Sequence, residues 1–464
     1  MKKIILLFAL MLSASLFAQD ITGKWQGDII VPGGKLKFIL NISQGISGYT
    51  ATSDSPDQGV KDVPVDKVNF SDNTLTFAIP EAGVTYKGIL ENEIIKGTFT
   101  QGSYDLKLDM ARGEITQAKV NRPQEPKAPF PYYTEDVKFK NEKASITLGG
   151  TLTLPKKEGN YPVVMLISGS GSQDRNEEIM GHKPFLVLAD YLTKKGFGVF
   201  RYDDRGVGIS GGNPANGTSA DFATDTQAAL DYLKTRKEIN KKKIGLIGHS
   251  EGGIIAQLIA EKNADVAFIV MMAGPGIQGS ELMVLQNYMI GKADGIPESE
   301  LTTMGTTIRK AYNVILTEND ENIRKAAVAE ILNKEFGPFF ASKGVPKEDI
   351  GRVVAGQTEM ITSPWFVYFL RYNPAPVLDK IKCPILALNG EKDLQVAATA
   401  NLSGVKRAAE KSGNKKVVTK SYPNLNHLFQ ECATGSIQEY ETIEQTISPV
   451  VLNDIAEWIA KTVN

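Results

Sequence analysis

The stretch that decides the fold spans residues 243–253 and reads Lys-Ile-Gly-Leu-Ile-Gly-His-Ser-Glu-Gly-Gly. Its apolar run predicts a short buried strand, and the apolar, alanine-containing segment 254–260 predicts a helix. Between them stands G-x-S-x-G, which in this strand–turn–helix context is typical of a nucleophile elbow. The turn holds the serine in a strained backbone conformation, and glycines two positions to either side avoid a collision with the neighbouring strand and helix. Ser250 is therefore the predicted nucleophile.

Around this stretch, from residue 133 onward, apolar strands alternate with helices. Continuous apolar strands joined by helices predict a mostly parallel sheet covered on both faces, so residues 133–464 are predicted to form one α/β domain. Residues 276–380 interrupt the alternation with charged helical segments. We interpret them as a helical lid above the carboxyl ends of the strands, where ligands bind in open α/β sheets.

The region before this domain has a different pattern. Residues 20–114 contain short alternating segments, among them 35–42, 68–79 and 84–90, separated by Gly, Asn and Asp. They predict a small all-β, barrel-like domain, which either holds a ligand or is filled by side chains. The proline-rich stretch 115–132 is the predicted linker.

Residues 1–19 have a basic start, an apolar core and a small-residue exit, which together are typical of a signal peptide. The apolar core is too short to span a bilayer comfortably. The mature protein is therefore expected to be exported, either periplasmic or secreted, without stable membrane insertion.

The composition and charge of the chain bear on its partners and cofactors. The chain of 464 residues exceeds one ordinary core, and its 52 Lys+Arg balance its 53 Asp+Glu. No long basic run indicates a nucleic-acid partner, and no Cys or His spacing is typical of a metal site. A small-molecule substrate, with neither a metal nor an organic cofactor, is the expectation.

The base that a serine nucleophile requires must come from one of three histidines, at positions 182, 249 and 427. His427 lies in a loop directly after the last predicted strand, which is the position and order (Ser, acid, His) expected of this architecture. His249 adjoins the serine, and the elbow would point its ring away from the hydroxyl. His182 precedes the elbow and is interpreted as structural or rim-lining. His427 is the predicted base.

The acid that orients this base is expected after the predicted strand 384–388. That strand is followed by Asn-Gly-Glu-Lys-Asp, which offers Glu391 and Asp393. The tight Asn-Gly turn places Glu391 at its apex, so Asp393 is the predicted third member of the triad.

Two backbone N–H groups must stabilise the oxyanion. One is expected from Glu251, directly after the nucleophile, and the other from the loop 168–171 after the strand that precedes it. We assign the second donor to Ser170, with Gly171 as the alternative.

Taken together, the motifs resemble those of α/β-hydrolases, and specifically of secreted bacterial serine esterases in the branch related to serine aminopeptidases. The resemblance covers residues 134–464 and rests on Gly169-Ser170-Gly171, Asp174-Arg175, the run 201–210 (Arg-Tyr-Asp-Asp-Arg-Gly-Val-Gly-Ile-Ser), the Ser250 elbow, Asp393 and His427. It implies hydrolysis of carboxylic esters, commonly short acyl esters, through an acyl-enzyme. An exopeptidase or thioesterase with the same triad, or a ligand-binding protein that acts through its β-domain, are the alternatives.

In Asp174-Arg175 and in Asp204-Arg205 an acidic residue directly precedes an arginine. We interpret each dipeptide as an ion pair that braces the loop beside the oxyanion hole, and not as a pair of reacting groups.

Overall fold

The computed structural model describes residues 20–31, 34–45, 48–56, 60–101, 104–113, 120–215, 217–342 and 347–463. The predicted signal peptide and residues 115–119 of the predicted linker lie outside this part of the chain. The chain divides between residues 118 and 119 into two compact units.

The first unit is a closed antiparallel barrel in which each strand pairs with the next and β1 pairs with β8. Its strands are β1 (Gly23–Val31), β2 (Gly34–Gly45), β3 (Gly48–Ser55), β4 (Val60–Ser71), β5 (Thr74–Ile79), β6 (Val84–Glu91), β7 (Ile94–Gln101) and β8 (Tyr104–Arg112). The predicted segment 68–79 is two strands rather than one. Asp72 and Asn73, with φ of 49° and 58°, form the two-residue hairpin turn between them.

Large side chains fill the interior of the barrel. Trp25, Phe38 and Tyr86 are buried, and the Tyr86 hydroxyl donates to the carbonyl of Leu108 at 3.0 Å. The Tyr86 ring needs the glycine at position 97, where a Cβ would lie 2.4 Å from its hydroxyl oxygen. The sequence allows a barrel that holds a ligand or one that is filled by side chains. The described interior is filled by side chains.

The second unit is built on an eight-stranded sheet in the order β16-β15-β14-β13-β11-β12-β10-β9. Its strands are β9 (Tyr133–Asn141), β10 (Ile146–Leu154), β11 (Tyr161–Ile167), β12 (Gly198–Tyr202), β13 (Ile239–His249), β14 (Val266–Met272), β15 (Ile385–Gly390) and β16 (Val417–Tyr422). β9 and β10 form an antiparallel hairpin, β10 pairs antiparallel with β12, and the other pairs are parallel. The predicted fold class, a mostly parallel α/β sheet preceded by an all-β domain, is confirmed.

Helices cover both faces of this sheet, and further helices form an insertion between two of its strands. They are α1 (Pro184–Lys194), α2 (Ser219–Thr235), α3 (Glu251–Lys262), α4 (Gly279–Ala293), α5 (Glu298–Thr317), α6 (Glu321–Ser342), α7 (Lys347–Ile361), α8 (Pro364–Arg371), α9 (Pro374–Leu378), α10 (Ala398–Ser412) and α11 (Pro449–Val463). Side chains of α1 and α11 share one apolar cluster, and those of α2, α3 and α10 share the cluster on the opposite face. Helices α4 to α9 lie between β14 and β15, in the region for which the sequence predicts a lid.

Residues 120–132, the described part of the predicted linker, are anchored to the second unit. The Arg122 guanidinium donates to the carbonyls of Gly181 and Glu441, at 3.2 and 2.9 Å. The Gln124 amide donates to the carbonyl of Ile447 at 2.7 Å. Side-chain hydrogen bonds to these backbone carbonyls therefore make this proline-rich stretch part of the second unit. No helix within the described ranges is long and apolar enough to cross a membrane.

Candidate active site

Ser250 lies in the sharp turn between β13 and α3, with φ of 51° and ψ of −119°. A positive φ is strained for a residue with a Cβ, and such strain occurs mainly where the surroundings enforce it. The surroundings here are tight. A Cβ at Gly248 would lie 2.0 Å from the carbonyl oxygen of Gly252, and one at Gly252 would lie 2.2 Å from that of Ile167. Both glycines of the G-x-S-x-G pattern are therefore required by backbone contact.

A buried carboxylate–imidazole pair lies at the same edge of the sheet. His427 Nδ1 is 2.7 Å from Asp393 Oδ2, and the Asp393 side chain is fully buried. Asp393 Oδ1 accepts the backbone N–H groups of Gln395 and Val396, both at 2.8 Å, which fixes the carboxylate after β15. The competing acid, Glu391, is exposed and accepts the Ser421 hydroxyl at 2.7 Å. The structure thus brings Asp393, and not Glu391, to His427.

The loop that carries His427 follows β16. The Asn426 side chain braces it, because its Oδ1 accepts the backbone N–H groups of Leu428 and Gln430 at 3.0 and 2.9 Å. Among the residues that the structure describes, no hydrogen bond joins the Ser250 hydroxyl to the His427 ring. Catalytic hydrogen bonds often tighten only when substrate is bound, and an approach of these two groups on binding is what the chemistry requires.

The loop after β11 presents backbone donors. The Gly169 N–H is already used, since it donates to Glu177 Oε1 at 2.7 Å. Within the described ranges, no acceptor is bonded to the backbone N–H of Ser170 or Gly171, and Ser170 is exposed. Glu251 is the first residue of α3, so its N–H has no partner inside the helix. These are the groups that the sequence predicts as oxyanion donors.

The Glu251 side chain connects the elbow to the lid. This buried carboxylate accepts the Ser219 hydroxyl at 2.6 Å and the Trp365 indole N–H at 2.8 Å. Burial raises the pKa of Glu251, and the two hydrogen bonds oppose that rise. Trp365 lies in the first turn of α8, so a lid side chain directly touches the residue that follows Ser250.

The predicted ion pair between Asp204 and Arg205 is wrong. Arg205 Nε instead lies 2.7 Å from Asp225 Oδ2, on helix α2. Asp204 accepts the Ser168 hydroxyl at 2.7 Å and the backbone N–H of Gln173 at 2.9 Å. Adjacent side chains in this loop point in different directions, and each finds its partner on another segment.

The predicted pair between Asp174 and Arg175 is wrong for the same reason. Arg175 Nη2 lies 2.7 Å from Asp203 Oδ2 at the end of β12, and Asp174 accepts the side-chain amide of Asn176. Burial acts to raise the pKa of Asp203, but the hydrogen bonds and charge of Arg175, together with the backbone N–H of Ile209, outweigh it and lower the pKa.

Among the described residues, no cation forms an ion pair with the Asp204 carboxylate, whose hydrogen bonds come from Ser168 and Gln173. Burial raises its pKa to about 7, and the charges of Glu177 and Glu251 add to that rise. An unfolded aspartate has a pKa of about 3.9. Between these two values the folded state holds a proton that the unfolded state has lost, so this group's contribution to stability disappears as pH rises through about 7.

We therefore expect Asp204→Asn to become more stable relative to the wild type as the pH rises. The free energy of unfolding of the variant, minus that of the wild type, should increase by about 2 kcal/mol from pH 5 to pH 7. Any constant offset from a lost hydrogen bond does not affect this slope. Urea denaturation at each pH measures the difference. Asp231→Asn, which removes an exposed carboxylate on α2, is the matched control. Parallel pH curves for Asp204→Asn and the wild type would contradict the prediction.

Two histidines that the sequence did not assign to catalysis have distinct surroundings. His182 is fully buried, with Nδ1 3.0 Å from the Thr446 hydroxyl and Nε2 2.7 Å from the carbonyl of Tyr440, so it is structural. His249 lies against Glu177, with Nδ1 2.9 Å from its Oε1. Sequence reasoning missed Glu177, because nothing in the sequence distinguishes it from the adjacent Glu178. In the described ranges, no cluster of three or more His, Cys, Asp or Glu side chains could hold a metal ion.

Comparison with known proteins extends these observations. Residues 183–334 match the family described as serine aminopeptidase, S33, a stretch that includes Ser250 and ends before Asp393 and His427. The chain is 25% identical to esterase EstD of Thermotoga maritima over 385 residues, which is 80% of this chain and 82% of that one. It is 33% identical to the uncharacterized protein PA2218 of Pseudomonas aeruginosa over 113 residues, 24% of this chain and 29% of that one. Among solved structures, the Pyrococcus furiosus esterase Pf2001 aligns with a TM-score of 0.44 at 16% identity, covering 76% of this chain and 100% of that one.

The sheet order and the strained serine between strand and helix define the class of the second unit: it has the α/β-hydrolase fold. Within that class, the match of residues 183–334 to the serine aminopeptidase family confirms the predicted resemblance to α/β-hydrolases of the aminopeptidase-like branch.

Proposed function

We propose that this protein is a serine hydrolase that cleaves carboxylic esters, with short acyl esters as the preferred substrates. The observation that carries the proposal is the fully buried Asp393 carboxylate bonded to His427 at the sheet edge where Ser250 occupies a strained elbow. The esterase name of the Thermotoga maritima relative, which aligns over most of both chains, supports the choice of an ester substrate.

The proposed reaction proceeds through an acyl-enzyme. The Ser250 hydroxyl attacks the ester carbonyl while His427 Nε2 accepts its proton, and Asp393 stabilises the imidazolium that forms. The backbone N–H groups of Glu251 and Ser170 stabilise the oxyanion of the tetrahedral intermediate. His427 then protonates the leaving alcohol, and a water molecule repeats the sequence to release the acid.

Export is proposed from the pattern of residues 1–19, and a small-molecule ester is the proposed substrate. The alternatives, an exopeptidase or a thioesterase, would use the same triad. They differ in the acyl group and leaving group that the enzyme prefers.

The substrate class is tested with the full-length protein on p-nitrophenyl acetate, butyrate, octanoate and laurate, beside an aminoacyl p-nitroanilide and an acyl thioester. We expect kcat/KM to be highest for acetate or butyrate and to fall at least roughly tenfold by laurate, because a pocket discriminates by the methylenes it holds. Each rate is corrected with Ser250→Ala. A kcat/KM for the anilide or the thioester above that of every ester would contradict ester hydrolysis as the activity.

A further inference from the structure

One buried side-chain pair connects three backbone segments around Ser250. Glu177 Oε1 accepts the backbone N–H of Gly169, in the loop of predicted oxyanion donors, at 2.7 Å. The same oxygen lies 2.9 Å from His249 Nδ1, and His249 Nε2 lies 3.1 Å from the carbonyl oxygen of His427. The pair therefore connects the oxyanion loop, the elbow and the loop that carries the base.

The hydrogen-bond partners determine the protonation state of this pair. A carbonyl oxygen only accepts, so His249 Nε2 carries a hydrogen. A carboxylate oxygen that already accepts the Gly169 N–H accepts a second hydrogen from Nδ1, which makes the ring an imidazolium. Burial lowers the pKa of His249, but the charge and hydrogen bond of Glu177, together with the carbonyl of His427, outweigh burial, so that the pKa is raised above its ordinary value.

We propose that Glu177 and His249 form a buried carboxylate–imidazolium pair that positions the oxyanion loop and the His427 loop around Ser250. The inference rests on the proposed acyl-transfer function, for which these positions matter. Both are positioning residues, because they act through the backbone of Gly169 and of His427 and take no proton from the substrate.

The geometry explains why a carboxylate is needed at position 177. With glutamine there, one oxygen would have to accept both N–H groups, which leaves an uncompensated imidazolium in a buried site, or else one of the two bonds breaks. Either result releases the Gly169 loop or shifts His249. Glu177 also has a φ of 53°, a backbone conformation that occurs mainly where surrounding contacts enforce it.

The inference is tested with Glu177→Gln, beside Glu178→Gln as the matched control one position away, where the carboxylate is exposed. Glu177→Gln is expected to lower kcat for p-nitrophenyl butyrate by roughly 10- to 100-fold, which is less than the loss from deleting an oxyanion donor, with KM within about threefold. Glu178→Gln should keep the wild-type kcat. A folded Glu177→Gln with kcat within about twofold of the wild type would overturn the inference.

A measurement on the wild type keeps the inference testable if Glu177→Gln does not fold. The chain has only three histidines, so histidine-selective ¹⁵N labelling gives three ring systems, which single substitutions assign. At a pH of about 6.5, where half of the molecules of a free histidine are neutral, we expect more than half of the His249 rings to carry hydrogens on both nitrogens. A neutral His249 ring with an unprotonated Nδ1 would overturn the inference.

The same assay distinguishes a failure of the positioning role from a failure of the proposed function. If Ser250→Ala is inactive while a folded Glu177→Gln is fully active, only the positioning role fails. If Ser250→Ala hydrolyses the ester at the wild-type rate, the proposed function itself fails, whatever Glu177→Gln does.

Discussion

Ser250→Ala is expected to lower kcat for p-nitrophenyl butyrate by on the order of 10⁵-fold or more, because it removes the oxygen that we propose attacks the ester. The folded state should change little. The hydroxyl has no hydrogen-bond partner among the described residues, and alanine keeps the Cβ that the φ of 51° already accommodates. We expect the melting temperature to remain within a few degrees of that of the wild type, since the loss of a hydroxyl without a hydrogen-bond partner changes stability by about 0.5 kcal/mol or less.

Steady-state rates and thermal denaturation of the same preparation measure both parts of this prediction. Ser299→Ala, which removes an exposed hydroxyl from α5, is the matched control and should keep the wild-type rate. A Ser250→Ala rate above about 1% of the wild type in a preparation free of contaminating esterase would rule out Ser250 as the nucleophile.

Asp393→Asn is expected to lower kcat by about 10⁴-fold, the effect of the same change in a well-studied serine protease triad. Asp393 Oδ1 accepts two backbone N–H groups, so the oxygen of an asparagine is held there and its amide group faces His427 Nδ1. An amide donates, which forces the tautomer with its hydrogen on Nε2. Nε2 of His427 would then have no lone pair with which to accept the proton of Ser250.

Glu391→Gln is the matched control for this change. Glu391 is exposed and bonded to Ser421, away from His427, so its replacement should leave kcat within about twofold of the wild type. Comparing the two variants by kcat and melting temperature decides between the two acids that the sequence offers. A collapse of activity in Glu391→Gln with Asp393→Asn unaffected would contradict the assignment.

The parts of the fold and site that the sequence predicted are those encoded locally or by chain order. The elbow is a pattern of eleven consecutive residues (243–253), in which an apolar strand, two sterically required glycines and a helix start follow each other. Asp393 and His427 follow from the order of elements, because the loops after successive parallel strands meet at one edge of a sheet. These predictions needed no contact to be known in advance.

The predictions that failed are two ion pairs, whose partners lie on distant segments, and one turn of the barrel. Arg205 and Arg175 do not pair with their sequence neighbours, because side chains from α2 and from the end of β12 reach them instead. The Glu177–His249 contact spans 72 positions, and no local pattern indicates it. In the barrel, the turn at Asp72 and Asn73 was missed because it lies inside an otherwise strand-like run and contains no glycine.

We propose that His427 and Asp393 activate Ser250 as a nucleophile. Reaction of the intact protein with a fluorophosphonate, followed by peptide mass spectrometry, tests it most directly, because that reagent forms a stable bond only with an activated serine. We expect one adduct, on Ser250, in the wild type, none in Ser250→Ala, and labelling slowed by several orders of magnitude in His427→Asn. An adduct on a different serine, or a wild-type rate of labelling in His427→Asn, would contradict it.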